Sequence, residues 1–146
     1  MSKRADALTI RLARPEERED LEALQRRASL ANENDRPHLE AHPDAIHLPP
    51  AQIANGQVYV AELDGRVVGF AAVVGGELDG LFVEPELWRR GIGAALVEEA
   101  TLSARRRGLT LTVIGNPAAR GFYERCGFSV EGETQTRFGP GLRMSR

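Results

Sequence analysis

The chain has 146 residues, 42 % hydrophobic and 27 % charged, with a formal charge of −2 and a pI near 6.0. This suits a single domain over residues 1–146 with a real core, and it argues against a protein that grips nucleic acid through a broad basic face. Cys126 is the only cysteine, which excludes an intramolecular disulfide framework; without a hydrophobic signal segment or an apolar run of ~18 residues, the expectation is a cytoplasmic protein with no membrane partner.

Leu8, Ile10 and Leu12 alternate with period two and predict a first strand. Pro15 can open a helix, Glu16 and Glu17 suit its positive end, and Leu21, Leu24 and Ala28 recur at helical spacing, so a helix is expected over about Pro15 to Leu30. Residues 32–52 carry four prolines, three histidines and several acids, which reads as a loop with one short helix. VYVAEL and VVGFAAVV flank Asp64-Gly65, a pair that accepts a tight hairpin turn, and Glu77 to Val83 extends them into a three-stranded meander.

A helix after Gly91 places Ile92, Ala95, Leu96 and Ala100 on one stripe and closes at Arg105, Arg106 and Arg107 before Gly108. Leu109 to Ile114 is a β-rich run. Asn116 as cap and Pro117 at the first helical position start a short helix to about Arg125, ending at Gly127. Phe128 to Glu133 and a weaker stretch from Gln135 to Leu142 complete an antiparallel edge.

Trp88-Arg89-Arg90-Gly91-Ile92-Gly93 puts a basic, glycine-punctuated turn directly before the long helix. Glycines let the backbone approach a ligand closely, and the first amides of a helix point outward at its positive end, so a phosphate or pyrophosphate fits there. Two nucleotide readings fail on spacing. Leu96 stands where a dinucleotide motif needs its third small residue, and no Gly-Lys-Ser/Thr triplet occurs.

ELDGLFVEPELWRRGIGAAL, a strand, and then NPAARGFYERCGF together resemble the Gcn5-related N-acetyltransferase (GNAT) superfamily. The motifs span Gly69 to Val130, and the element order agrees over nearly the whole chain. The resemblance implies an α+β, three-layer fold: a mixed, mostly antiparallel central sheet with helices on both faces. It implies acetyl-coenzyme A as co-substrate, no metal, and direct transfer of the acetyl group to a small-molecule or peptidyl amine. A non-catalytic acyl-coenzyme A sensor on the same fold is the alternative, and Tyr123 with a nearby base is what separates the two. No nucleic-acid partner is implied; a homodimer is admissible, the oligomeric state being open.

Carried over residue by residue, the resemblance sets the backbone of Leu81, Phe82 and Val83 beside the pantetheine arm. It gives the pyrophosphate to Arg89, Arg90, Gly91, Ile92, Gly93 and Ala94. Arg90 is the preferred side-chain contact, because a guanidinium fork matches phosphate oxygens. The family pattern Gln/Arg-x-x-Gly-x-Gly/Ala is broken at its first position by Trp88, which puts in doubt whatever that polar side chain does. Asn116, Ala119 and Phe122 fall to the cofactor as well, Asn116 being equally a helix cap. Tyr123, one turn after Ala119, is implied as the acid that protonates the departing thiolate, and Glu77 as the base, with a water chain as the other route.

Cys126 has no base nearby in sequence and is expected to be a semi-buried thiol. His38, His42 and His47 are hemmed by Pro37 and Pro43 and do not suit a metal-presenting helix, so a substrate-pocket histidine is the better reading. The segment after the first helix walls the acceptor site in this superfamily, and Glu33, Asp35, Glu40 and Asp44 there favour a cationic amine.

Overall fold

The computed structural model describes residues 7–137 and 139–146. Seven strands form one sheet: β1 (Leu8–Leu12), β2 (Val58–Leu63), β3 (Arg66–Val74), β4 (Glu77–Val83), β5 (Thr112–Gly115), β6 (Ser129–Thr136) and β7 (Gly139–Ser145). Their spatial order is β1-β2-β3-β4-β5-β7-β6. Every neighbouring pair is antiparallel except β4 and β5, which run parallel. Five helices cover it: α1 (Arg18–Ala31), α2 (Arg36–Ala41), α3 (Pro50–Ala54), α4 (Ile92–Arg106) and α5 (Arg120–Arg125).

Two apolar layers follow from the strand alternation. On one face α4 buries Ile92, Leu96, Val97, Ala100 and Ala104 against Val68, Ala71, Leu78 and Val83, and Phe122, Tyr123 and Phe128 extend that layer under α5. On the other face α1 sets Leu21 and Leu24 against Val58, Val60 and Phe70, with Leu48 and Ile53 closing the layer. Ala72 faces Gly80 while the next residue, Val73, faces Leu78, so Asp79 is an extra residue in β4. This bulge flips the alternation: Leu78 joins Leu81 and Val83 on the α4 face, and Glu77 shares the α1 face with Phe82.

Three expectations need correction. Residues 32–52 hold more helix than one short piece: α2, a 3-10 turn at Pro43–Ala45, and the start of α3. Pro37, Pro43 and Pro50 sit at the first or second helical position and Pro49 at the N-cap of α3, where a missing N–H costs nothing, so they start turns instead of breaking them. The helix expected from Pro15 opens as a 3-10 turn, Pro15–Glu17, before α1. Finally, the antiparallel edge forms, but its last strand is β7 at Gly139–Ser145 instead of Gln135–Leu142, and it inserts between β5 and β6, leaving β6 at the rim.

Candidate active site

β4 and β5 touch at a single registered pair, Glu77 with Thr112, and then diverge. Glu84 N–H donates to the Val68 carbonyl at 2.9 Å, and in an antiparallel ladder the bonding direction alternates from residue to residue. Phe82 and Gly80 therefore spend their backbone groups on β3, while Leu81 and Val83 direct theirs into the gap. Trp88 shows the gap-facing carbonyl directly, since its indole Nε1–H donates to Val83 O at 2.8 Å. The residue that breaks the family pattern thus supplies a polar group after all, and spends it on holding the end of β4.

Past β4 the chain turns through Arg89, with φ 68°, and Gly91, with φ 85°. These two left-handed positions bend the chain sharply just ahead of α4 and bring the turn to the helix's positive end. The left-handed conformation at Arg89 carries strain that a site for a ligand can justify. Gly91 caps α4 without any side-chain bond, and the first turn has no acid. The first intrahelical bond comes from Ala95 N–H to Gly91 O at 3.0 Å, so the amides of Ile92, Gly93 and Ala94 are free at the helix's positive end. Arg89 and Arg90 are exposed, and among the described residues neither makes an ion pair. A Cβ on Gly93 would come within 3.2 Å of Phe122, so the glycine lets that ring pack on the start of the helix.

Across the gap, Asn116 Oδ1 accepts from Ala118 N–H at 2.8 Å and starts the 3-10 turn that leads through Ala119 into α5. Its capping role is therefore realised. One turn on, Tyr123 packs edge-on between Phe122, 5.1 Å away, and Phe128, 5.3 Å away. Its ring lies over Gly115, where a Cβ would sit 3.1 Å from the ring and 2.8 Å from Met144. The hydroxyl makes no hydrogen bond among the described residues. Burial, then the neighbouring Cys126 and Asp35, push its pKa up to about 12, so it remains a protonated donor at neutral pH.

On the α1 face, the divergence opens into a cleft of about 350 Å³. Gln25 and Ser29 line it from α1, Asp35, His38 and Leu39 from the α2 region, Phe82 from β4, Ile114 and Gly115 from β5, and Pro140 and Gly141 from β7. Tyr123 belongs to the α4 layer and Asp35 to the α1 side, yet the carboxylate is close enough to raise the phenol's pKa. Burial also raises the Asp35 pKa, against the effect of His38.

Glu77 does not line this cleft. It stands at the closed end of the β4–β5 pair, five residues and on the order of 15 Å before Phe82, away from the cleft. Asp35 is the residue that sequence reasoning passed over, counted among four acids and not singled out. The available signal was its position just ahead of Arg36-Pro37, where a helix starts. His38 lines the cleft, whereas His42 ends α2 and His47 lies 3.8 Å from Glu22. No metal-binding cluster occurs among the described residues. Burial raises the Cys126 thiol's pKa, which is the reverse of what a nucleophile needs. Among the described residues no helix is long and apolar enough to cross a membrane.

Residues 54–130 match the family model described as an acetyltransferase (GNAT) domain. The peptidyl-lysine N-acetyltransferase YjaB of Salmonella typhimurium is 35 % identical over 130 residues, covering 88 % of each chain. The solution structure of apo YjaB from Escherichia coli superposes with a TM-score of 0.72 at 29 % identity, covering 95 % of this chain and 97 % of the other. A crystal structure of a GCN5-related N-acetyltransferase from Rhodopseudomonas palustris gives 0.75 at 25 % identity over 100 % and 98 %.

Proposed function

Because this chain belongs to the GNAT acetyltransferase family, we propose that it moves the acetyl group of acetyl-coenzyme A to a primary amine by direct attack, with both substrates bound at once. The observation that carries this reading is the gap between β4 and β5: it lies between the glycine turn with free helix amides and the cleft on the α1 face. The pantetheine arm would add to the Leu81 and Val83 backbone as a strand does, its diphosphate on the amides of residues 89–94 with Arg90 as side-chain partner. The thioester then lies at the divergence, within reach of the Tyr123 hydroxyl. Asn116, Ala119 and Phe122 flank the same arm.

The amine nitrogen attacks the thioester carbonyl, the C–S bond breaks as the amide carbonyl re-forms, and Tyr123 protonates the departing sulfur. The proton that the nitrogen sheds on collapse restores the phenol, so no covalent enzyme intermediate is needed. YjaB, by its name, acts on peptidyl lysine, and a lysine side chain is the first acceptor to try here. A free-thiol assay over amines, run beside calorimetric titration with acetyl-coenzyme A, ATP and NAD, tests the reading. Thiol release together with selective acetyl-coenzyme A binding is expected. Binding without release to any amine would favour the sensor alternative, and binding of ATP or NAD alone would end the proposal.

A further inference from the structure

We propose that the Asp35 carboxylate receives the acceptor as an alkylammonium ion and takes its proton, making Asp35 the catalytic base and the source of selectivity for cationic amines. The inference rests on the acetyl-transfer reading above and assigns its missing proton acceptor. Asp35 occupies the N-cap position of α2, but its side chain caps nothing, and among the described residues its carboxylate makes no hydrogen bond or ion pair. A half-buried carboxylate is normally paired. This one is left for a ligand.

The surroundings suit the same ligand. Asp35 is the one carboxylate among the described lining residues, and no lysine or arginine shares the lining with it. Leu39, Ile46, Phe82, Ile114 and Pro140 make the walls largely apolar, as an alkyl stem requires. The titratable neighbours are His38 on α2 and, through the gap, Tyr123 on α5; Asp44 pairs with Arg137 at 3.7 Å between the segment after α2 and the end of β6. Base and acid thus stand on opposite faces of the opened sheet, as a line of attack through the gap demands. The ammonium gives one proton to Asp35, and the freed lone pair attacks the carbonyl carbon. Asp35 afterwards releases its proton to solvent. A carboxyl group whose pKa burial has raised is also better matched to accept a proton from an amine.

The test compares wild type, Asp35→Asn and Asp35→Glu with two acceptors. One is Nα-acetyl-lysine methyl ester, an ammonium ion at pH 7; the other is methoxyamine, already neutral there. Asp35→Asn should lose about 100-fold or more in kcat/KM toward the lysine ester at pH 7, and the deficit should shrink as pH approaches the amine pKa of about 10. Methoxyamine should be affected less than about threefold, Asp35→Glu should recover part of the loss, and acetyl-coenzyme A affinity should stay unchanged in both variants. Equal losses for both acceptors, a deficit independent of pH, or no deficit would overturn the inference and leave the acetyl-transfer reading standing. A wild-type protein that binds acetyl-coenzyme A but releases no thiol with either acceptor would overturn both.

Discussion

Replacing Tyr123 with phenylalanine keeps the ring between Phe122 and Phe128 and removes only the hydroxyl. If that hydroxyl protonates the leaving thiolate, kcat should fall by about 10²- to 10⁴-fold, or about 3 to 5 kcal/mol in activation free energy. KM for acetyl-coenzyme A should barely move. The same variant makes a second, independent prediction through the raised pKa. Tyrosine ionises near 10 in the unfolded chain and here near 12, so above pH 10 the unfolded state loses its proton first. Ionisation then favours unfolding: the stability contribution is complete below pH 10 and drains away as pH rises through 12. By pH 11 the loss amounts to about 1.4 kcal/mol, and it approaches about 2.7 kcal/mol once both states are ionised. Urea unfolding of both proteins from pH 8 to 11.5 should therefore show wild type declining more steeply than Tyr123→Phe, all other groups being common to the two. Parallel curves would mean the phenol is not held in a water-poor site, and unchanged kcat would reduce it to packing.

Two further substitutions probe the frame of the site. Glu84 is buried and accepts from Arg27 at 2.6 and 3.1 Å, tying the end of β4 to α1. Because Arg27 is 55 % exposed and can regain water, Glu84→Ala should cost about 1 to 2 kcal/mol in chemical denaturation, toward the low end for a lost charged hydrogen bond. Gly91→Ala meets open space but must hold φ 85°. It should lose about 1 to 2 kcal/mol and weaken acetyl-coenzyme A binding by calorimetry, whereas unchanged affinity would place the diphosphate away from this turn.

The strands and long helices were legible because local alternation and the apolar stripe of α4 already decide which face is buried. Local rules also located the capping of Asn116 and the glycine turn ahead of α4. They failed where a residue's meaning depends on what lies across from it. Proline reads as a breaker or an initiator according to its helical position, which residues 32–52 alone could not reveal. The insertion of β7 beside β5 rests on long-range pairing of Val113 with Met144 and Ile114 with Arg143, and the weakly apolar GPGLRMS gave no hint of an interior strand. The cleft is the sharpest case. Asp35 meets Phe82, Gly115 and Pro140 only after α1, β4, β5 and β7 have assembled, so its place at the start of a helix was the one local cue, and nothing along the chain told which cleft it would line.

Trp88 is the single tryptophan of the chain, and its indole is anchored at the mouth of the gap on the Val83 carbonyl while 40 % of the residue stays in water. An indole so placed is a built-in optical reporter. Light absorbed by tryptophan and not by tyrosine excites one fluorophore only, at the point where the proposed pantetheine arm would displace solvent. Emission wavelength and quenching by added iodide should therefore follow donor occupancy in real time, without label or coupled assay, and a stopped-flow trace would yield the entry and exit rates of the donor.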